Sequence, residues 1–257
     1  MLRRWFIILG IALACPHGAS AEAKCGVVFM HGKWGNPSAH IAGAANQLRA
    51  VGCVVETPEM PWSGRRRYDA PASVALQEID AAIARLKAQG ATAIFVGGQS
   101  MGASAALAYG ARHPGLRGIL AVSPGHDPAL SGFADKTAGD VQRARSLVSQ
   151  GRGAEVITFT DLNGGRTASF SAPASTYLSY FDPAGLFVIP ENAKRLSAPL
   201  LWVSGNADPL TRLGQDYAFT KAPADPHNRY IVVAADHLGA PDAAASQIAA
   251  WVRGLVQ

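Results

Sequence analysis

Short apolar runs alternate with longer amphipathic segments along most of the chain. Six runs are rich in Val, Ile and Leu and are flanked by Gly, Pro or polar residues: 26–30, 53–56, 93–97, 118–122, 200–204 and 230–234. Uninterrupted apolar runs of this length are typical of strands that are buried on both faces of a parallel sheet. The pattern therefore predicts six parallel strands.

Between these predicted strands, Ala, Leu and Ile recur at helical spacing. This spacing covers residues 39–51, 73–89, 101–113 and 243–256. Gly90 follows the second segment and Pro114 follows the third, and both residue types commonly end helices. The alternation predicts an α/β fold with a doubly wound, mostly parallel sheet and helices on both faces.

Residues 123–199 interrupt this alternation. They contain a candidate helix over 141–149 and two candidate strands around Asn163-Gly164-Gly165, followed by a cluster of aromatic residues: Tyr177, Tyr180, Phe181 and Phe187. The stretch is too long for a simple crossover, and it leaves the sheet at its carboxyl edge. Two interpretations stay open, namely a cap over a site at that edge and a purely structural insertion.

The N-terminus has the pattern of an export signal. Arg3 and Arg4 precede an apolar stretch, and Ala19-Ser20-Ala21 matches the A-x-A pattern after which signal peptidase cuts. We expect residues 1–21 to be a signal peptide and 22–257 to form one periplasmic or secreted domain. The apolar stretch is too short for a stable membrane span. An uncleaved anchor and a lipoprotein modified at Cys15 are the alternatives.

Export bears on the cysteines, because disulfides form in oxidising compartments. Cleavage leaves Cys25 and Cys53, and each stands at the start of one of the apolar runs. If those runs are neighbouring parallel strands, the two sulfur atoms lie at the same edge of the sheet. A disulfide between them is therefore expected, and two buried free thiols are the alternative.

Composition narrows the class of protein. The 257 residues are 49% hydrophobic and 16% charged, which favours a folded domain over a disordered chain. The net charge of +5 falls to +3 when Arg3 and Arg4 are removed with the signal, so no nucleic-acid partner is expected. The sequence contains no HExxH, paired CxxC or Walker loop. We therefore expect no metal or nucleotide cofactor.

The third predicted strand runs into Gly98-Gln99-Ser100-Met101-Gly102 and then into a helix. This is a G-x-S-x-G nucleophile elbow in the strand-turn-helix context that it requires. The turn is so tight that the positions two before and two after the serine have no room for a side chain. Ser100 is therefore the candidate nucleophile, at a helix start whose amides favour a developing anion.

A serine hydroxyl needs an adjacent base that is oriented by an acid. His31, His126 and His237 each follow a predicted strand and so lie at the carboxyl edge with Ser100. The chain order nucleophile, acid, base favours His237 after the last strand, with His126 as its competitor. Asp208 follows the penultimate strand and is the candidate acid.

Acyl transfer also needs two backbone N–H groups that hold the oxyanion of the intermediate. Met101, directly after the nucleophile, is expected to supply one. The other is expected from Lys33 or Trp34 in the Gly-rich loop after the first strand, with Lys33 preferred. Trp34, His126 and Trp62 follow strands at this edge and are candidates for lining the substrate site.

One basic cluster, Arg65-Arg66-Arg67, follows the second predicted strand. Trp62 and Tyr68 lie on either side of it. A solvated loop is the plainer interpretation. The other is a weak preference of the site for acidic or neutral esters over cationic ones.

A strand followed by His-Gly, a G-x-S-x-G elbow, an Asp after the penultimate strand and a His after the last together resemble an α/β-hydrolase. The likeness covers nearly all of residues 22–257 and is strongest with small serine esterases and dienelactone-hydrolase-like enzymes. The oxyanion strand comes almost at once, so the first two strands of that fold are missing and a trimmed sheet is expected.

The resemblance implies an exported serine hydrolase that cleaves a small carboxylic ester through an acyl-enzyme intermediate and needs no cofactor. Thioesterase, amidase or lipase activity would use the same residues, because the triad does not record the leaving group. A binding protein of this fold that has lost turnover is the rival interpretation.

Overall fold

The computed structural model describes residues 24–256. The predicted signal peptide over 1–21 and the alternative lipidation site Cys15 lie outside the described residues. Within 24–256, none of the helices has the length and apolar character needed to cross a membrane.

The centre of the described chain is a six-stranded parallel sheet. Its strands are β1 (Cys25–Met30), β2 (Val54–Glu56), β3 (Ala93–Gln99), β4 (Gly118–Val122), β7 (Leu200–Gly205) and β8 (Arg229–Val233), and two further strands, β5 (Val156–Asn163) and β6 (Arg166–Pro173), form a separate hairpin. The sheet order is β2-β1-β3-β4-β7-β8. Because all six strands are parallel, their carboxyl ends lie at one edge. This confirms the predicted doubly wound sheet.

Helices cover both faces of this sheet. On one face lie α1 (Ala42–Ala50), α7 (Ala240–Ala243) and α8 (Ala245–Val256), and on the other lie α2 (Ala72–Ala88) and α3 (Met101–Gly110). In β1, Val27 and Phe29 enter the core under α1 and α8, whereas Val28 and Met30 enter the core under α2 and α3. A strand with a core on each side needs apolar residues at every position, which explains the uninterrupted runs in the sequence.

Two predicted helices differ from the observed ones at their ends. The helix predicted from residue 39 begins at Ala42, because Asn36 Oδ1 accepts hydrogen bonds from the amides of Ser38 and Ala39 and closes a turn there. The helix predicted over 243–256 corresponds to α8 and begins two residues later, at Ala245, since Ala243 is the last residue of the short helix α7.

The insertion between β4 and β7 folds as α4 (Ser131–Ser149), the hairpin β5-β6, α5 (Ala174–Phe181) and α6 (Ile189–Ala193). Helix α4 begins ten residues before the predicted start at 141. Its first half buries Thr137, whose hydroxyl donates to the carbonyl of Phe133, so no apolar period marks that half in the sequence. The hairpin turns at Gly164 and Gly165, as predicted, and both have positive φ angles.

Cys25 and Cys53 are joined by a disulfide, with 4.8 Å between their Cα atoms. Cys25 is the first residue of β1, and Cys53 directly precedes β2. The bond therefore ties two neighbouring parallel strands together at their amino ends, on the edge of the sheet opposite to the carboxyl ends.

Candidate active site

Ser100 lies at the sharp turn between β3 and α3. Its φ of 55° and ψ of −116° are unfavourable for a residue with a side chain. A Cβ on Gly98 would lie 2.5 Å from the carbonyl oxygen of Met30, and so would a Cβ on Gly102. Only glycine at both positions lets the elbow pack against the end of β1, which supports the reason given for the motif.

His237 and Asp208 are in contact. Nδ1 of His237 lies 2.7 Å from Oδ2 of Asp208. The side chain of Asp208 is 2% exposed, whereas that of His237 is 24% exposed. Asp208 is thus sheltered behind a histidine that keeps access to solvent.

The carboxyl group of Asp208 is held in its ionised form. Burial raises the pKa of Asp208, but hydrogen bonds and the charge interaction with His237, together with the amide of Leu210, bring it below the ordinary value. Ser123 Oγ also lowers this pKa, although its geometry falls short of a full hydrogen bond. An ionised carboxylate only accepts hydrogen bonds, so Nδ1 of His237 carries a proton and Nε2 is the ring nitrogen that faces away from Asp208.

Ser100 and His237 meet at Gly125, in the loop after β4. A Cβ on Gly125 would lie 2.8 Å from Ser100 Oγ and 3.3 Å from Nε2 of His237. The two reacting groups therefore border the same small space, which a side chain at residue 125 would fill. Sequence reasoning missed Gly125, although its position after a strand and next to His126 was a signal.

Gln99 was also missed. Its side chain is buried, and Nε2 donates to the carbonyl oxygen of His237 at 3.1 Å. A Cβ on Gly32 would collide with the Gln99 amide. Gln99 thus links the elbow, the loop after β1 and the loop that carries His237.

The loop after β1 is held by His31, which is fully buried. The amide of Met60 donates to Nε2 at 3.1 Å, so Nδ1 carries the proton and donates to the carbonyl of Gly32 at 2.8 Å. Burial lowers the pKa of His31, in opposition to its bond with Gly32, and keeps the ring neutral. With the Gly32 carbonyl held, the amide of Lys33 in the same peptide plane points the opposite way.

The two candidate amide donors in this loop differ in availability. The amide of Trp34 donates to the carbonyl of Trp62 at 2.9 Å. Within the described residues, the amides of Lys33 and Met101 form no such bond. Of the two candidates in this loop, the backbone N–H of Lys33 is thus the one that is free to donate, and it is the one that the sequence favours.

The side chain of Lys33 is buried against the hairpin. Its Nζ donates to Oδ1 of Asp161 at 2.6 Å and to the carbonyl of Leu162 at 2.8 Å. Asn163 Nδ2 donates to the Lys33 carbonyl at 3.2 Å. Nζ also lies 5.1 Å from the ring centre of Phe133. Three consecutive hairpin residues, 161–163, therefore form hydrogen bonds with Lys33, whose backbone amide is free.

The remaining predicted site residues have structural partners. Trp62 is fully buried and donates from Nε1 to the carbonyl of His31, so it supports the loop from below instead of lining an open site. His126 is also buried, and its Nε2 lies 2.8 Å from the carbonyl of Tyr180 in α5. It does not contact Asp208, which is occupied by His237. Trp34 is partly buried and donates from Nε1 to Asp161.

The three arginines do not act as one cluster. Arg65 pairs with Glu59, and Arg66 pairs with Asp69 and Glu78. Arg67 donates to the carbonyl of Ser169 in the hairpin. Two of the three charges are thus compensated locally, which reduces the field expected from the sequence. No group of three His, Cys, Asp or Glu side chains suited to a metal ion occurs in residues 24–256.

The sequence of this chain was compared with protein families and with curated proteins. Residues 27–251 match the profile of the Alpha/beta hydrolase family. No curated protein matches the chain in sequence.

Several solved structures share the fold. One belongs to the metagenome-derived lipolytic enzymes LipS and LipT, with a TM-score of 0.65, 16% identity and coverage of 91% of this chain and 96% of that one. The monoacylglycerol lipase of Paleococcus ferrophilus has a TM-score of 0.62 and 21% identity, with coverage of 90% of this chain and 93% of that one. The thioesterase domain from the curacin biosynthetic pathway has a TM-score of 0.52 and 18% identity, with coverage of 91% of this chain and 92% of that one. At these identities the likeness concerns the fold alone, but the family profile spans most of the sequence, and the chain belongs to the alpha/beta hydrolase family.

Proposed function

We propose that this protein is a serine hydrolase that cleaves carboxylic esters. The observation that carries the proposal is the meeting of Ser100, at its strained elbow, with a His237 whose proton is fixed on Nδ1 by the buried Asp208. A serine near an imidazole that a buried carboxylate orients has the means of activation that nucleophilic catalysis requires.

In the first step, Ser100 Oγ attacks the carbonyl carbon of the ester and passes its proton to Nε2 of His237. The electrons of the C=O bond move to the oxygen, which becomes the oxyanion. When the carbonyl forms again, the ester C–O bond breaks and the alcohol leaves with the proton from Nε2. The product is an acyl group on Ser100 Oγ.

In the second step, water attacks the acyl group and gives its proton to the same Nε2. Collapse of the second intermediate breaks the bond to Ser100 Oγ and returns the proton to it, which frees the carboxylic acid. Asp208 stays ionised throughout and stabilises the imidazolium that forms in both steps.

The amides of Lys33 and Met101 are the proposed oxyanion donors. Both belong to peptide units that are fixed before substrate arrives: one by His31 and the hairpin, the other by the start of α3. Fixed donors stabilise the oxyanion without reorganisation during the reaction. Asp161 and Asn163 would then act as positioning residues.

We also propose that the protein is exported and that the insertion over 123–199 partly caps the site. The signal-like N-terminus and the Cys25–Cys53 disulfide support export. The contacts of the hairpin with Lys33 and Trp34 support the cap. A small-molecule ester remains the proposed substrate, with no nucleic-acid partner.

Hydrolysis of 4-nitrophenyl esters of increasing acyl length by purified residues 22–257 tests the proposal. We expect turnover of at least one ester by wild type and none above background by Ser100→Ala. A matched thioester and a matched anilide, measured alongside, separate esterase from thioesterase and amidase activity. A folded protein that binds these compounds but cleaves none of them would support the rival binding function.

A further inference from the structure

A cavity of about 210 Å³ lies beside the proposed active site and takes no part in the mechanism above. Three segments that are distant in the sequence form its walls: Trp34 in the loop after β1, Arg67 and Tyr68 in the loop after β2, and Ser169 and Phe170 in β6. We call it the hairpin cavity.

Backbone strain is concentrated around this cavity. Among the described residues, six that are not glycine have a positive φ, and three of them line the hairpin cavity: Trp34 at 57°, Arg67 at 49° and Tyr68 at 62°. Two others, Ser100 and Ser123, belong to the proposed active site. Strain of this kind persists only where the surroundings enforce it, and it is found most often at functional sites.

Asp161 connects two of these three residues through their side chains, and the backbone amides of all three donate to carbonyl oxygens within residues 61–63. Oδ2 accepts hydrogen bonds from Trp34 Nε1 at 2.8 Å and from the Tyr68 hydroxyl at 2.7 Å. Oδ1 accepts from Lys33 Nζ at 2.6 Å and from the amide of Leu162 at 2.7 Å. The carboxylate is fully occupied and its charge is balanced by Lys33, so it neither repels an anion strongly nor accepts a hydrogen bond from a ligand.

The walls of the cavity are aromatic, and its mouth is cationic. Tyr68 and Phe170 are almost fully buried, and their ring centres lie 4.6 Å apart. Arg67 is exposed, and in residues 24–256 its side chain has one partner, the carbonyl of Ser169, and no carboxylate within ion-pair distance. Arg65 and Arg66 are paired with carboxylates, whereas the charge of Arg67 has no carboxylate partner among the described residues and is available to an anionic ligand.

The order of the strands determines which part of a substrate reaches the cavity. Asp208 and His237 follow β7 and β8, on one side of Ser100, whereas the hairpin cavity belongs to the loops after β1 and β2, on the other side. The leaving alcohol must lie near His237, which protonates it. An acyl group that points away from His237 would therefore point toward the side of Ser100 that carries the cavity.

The cavity is within reach of an acyl chain. A Cβ on Gly32 would lie 3.1 Å from the Cβ of Ser100. Trp34 follows Gly32 by two residues, and successive Cα atoms are about 3.8 Å apart, so the Cα of Trp34 lies within about 12 Å of Ser100.

On the basis of the proposed function, we propose that the hairpin cavity is the acyl-binding subsite and that it selects acyl groups whose apolar chain ends in a carboxylate. The chain packs chiefly on the partly exposed ring of Trp34, with Tyr68 and Phe170 as the buried rings behind it, and the terminal carboxylate pairs with Arg67. A guanidinium group presents a planar pair of donors that fits a carboxylate.

The test compares two esters in three proteins. The anionic substrate is mono-4-nitrophenyl suberate, and the neutral control is its methyl ester at the far carboxyl group. Arg67→Gln should lower kcat/KM for the anionic ester by about 5- to 10-fold, the usual worth of a partly exposed charge-assisted contact, and leave the neutral ester within about twofold. Arg65→Gln is the matched control, because it removes an equal charge two residues away, and should leave both esters unchanged.

Two further measurements guard against an indirect effect. Arg67→Lys keeps the charge and should restore part of the preference for the anionic ester. Ala168→Phe fills the cavity, since Ala168 lines it. It should slow hydrolysis of both eight-carbon esters more than hydrolysis of 4-nitrophenyl acetate, because acetate is too short to reach the cavity and responds only to a change in the oxyanion loop.

The proposed subsite would be wrong if Arg67→Gln lowered kcat/KM equally for both esters, or if Arg65→Gln had the same effect as Arg67→Gln. Hydrolysis of 4-nitrophenyl acetate would still support the proposed hydrolase in either case. Binding of suberate itself, measured by calorimetry, needs no turnover. It should weaken about 5-fold in Arg67→Gln, a loss of the same order as for the ester. If no ester is cleaved, the proposed function fails, and unchanged suberate binding would then reject the cavity as a carboxylate site as well.

Discussion

The two sides of Ser100 are built in different ways. On one side, Asp208 and His237 follow neighbouring strands, and a single hydrogen bond of 2.7 Å aligns them. On the other side, the Lys33 loop is held by Asp161 and Asn163, which lie about half the chain away in the insertion. The first side is positioned by the sheet, and the second by an element that the sheet does not contain.

This difference explains why the same sheet serves enzymes with different substrates. The strand ends that carry Ser100, Asp208 and His237 follow from the order of the sheet, so they change little when an insertion changes. The amide of Lys33 depends on the hairpin, which also forms the wall of the hairpin cavity. Under the proposed function, a change in the insertion would alter substrate selection and oxyanion geometry together.

Removing the nucleophile breaks the side built by the sheet. Ser100→Ala should lower kcat by about 10³-fold or more, because binding and oxyanion donors alone remain. His237→Ala should be similarly inactive. Steady-state ester hydrolysis measures both, and Ser149→Ala, an exposed serine in α4, is the matched control. An active His237→Ala together with an inactive His126→Ala would show that the base has been misassigned.

Breaking the disulfide should lower the stability of the whole domain and should leave both sides of the site unchanged while the protein is folded. Because Cys25 and Cys53 lie at the amino ends of β1 and β2, the change is at the edge opposite to the site. Cys25→Ser/Cys53→Ser should lower the free energy of unfolding by about 3–4 kcal/mol through the entropy of the unfolded chain. Urea unfolding measures the loss, and kcat at a temperature where the variant is folded should match wild type. Two alkylatable thiols in native exported protein would contradict the pairing.

Removing the buried ion pair should break the side built by the hairpin. In Lys33→Met/Asp161→Asn both charges disappear, so no unpaired charge is left buried, as it would be in either single variant. Residue 33 then loses the side-chain bonds that tie it to the hairpin and keeps only the bonds of His31 and Asn163 to its peptide units. We expect kcat to fall by about 10- to 100-fold while KM for 4-nitrophenyl acetate changes little.

Matched measurements separate this effect from general damage. Lys194→Met/Glu191→Gln removes an exposed ion pair in the same kind of contact and should leave kcat unchanged. Thermal unfolding of both double variants checks that each is folded. An unchanged kcat in the folded Lys33→Met/Asp161→Asn protein would show that the hairpin does not position the oxyanion loop.

Acid should destabilise the fold through His126, which lies in the loop after β4 and packs against α5. Burial and the nearby charge of Lys33 lower the pKa of His126 well below its ordinary value. Below about pH 6.5, His126 therefore binds a proton in the unfolded chain but stays neutral in the folded chain. The free energy of unfolding keeps its full value above that pH and decreases as the pH falls.

The expected slope for this one group is at most about 1.4 kcal/mol per pH unit. Urea unfolding at pH 7.5 and 5.5 should show a smaller pH-dependent loss in His126→Asn than in wild type. The comparison cancels the groups that both proteins share, including His31. Identical losses in the two proteins would mean that His126 is not buried as a neutral ring.

Most of the fold was predictable because the four central strands, β1, β3, β4 and β7, are buried on both faces, and every strand of the sheet carries its own apolar run. Predicted and observed strands differ by two residues or fewer at either end, as in β3, which extends to Gln99. The first half of α4 was not predictable, since its residues face solvent and Thr137 takes the place of an apolar residue.

The candidate site divides in the same way. Ser100, Asp208 and His237 each follow a strand, so sequence order alone assigns them to one edge, and the structure brings them together there. Asp161 was missed because its partners are Lys33, Trp34 and Tyr68, which no local pattern connects to the hairpin. Its one signal was a lone acidic residue in an otherwise uncharged predicted strand.

Reaction with a fluorophosphonate tests the central claim most directly, because the reagent labels a serine only when a base activates it and an oxyanion site accepts the phosphoryl oxygen. We predict one adduct per chain, located on Ser100 by peptide mass spectrometry, and no adduct in His237→Ala. An unlabelled wild-type protein, or an adduct on any other serine, would contradict the assignment of Ser100 as an activated nucleophile.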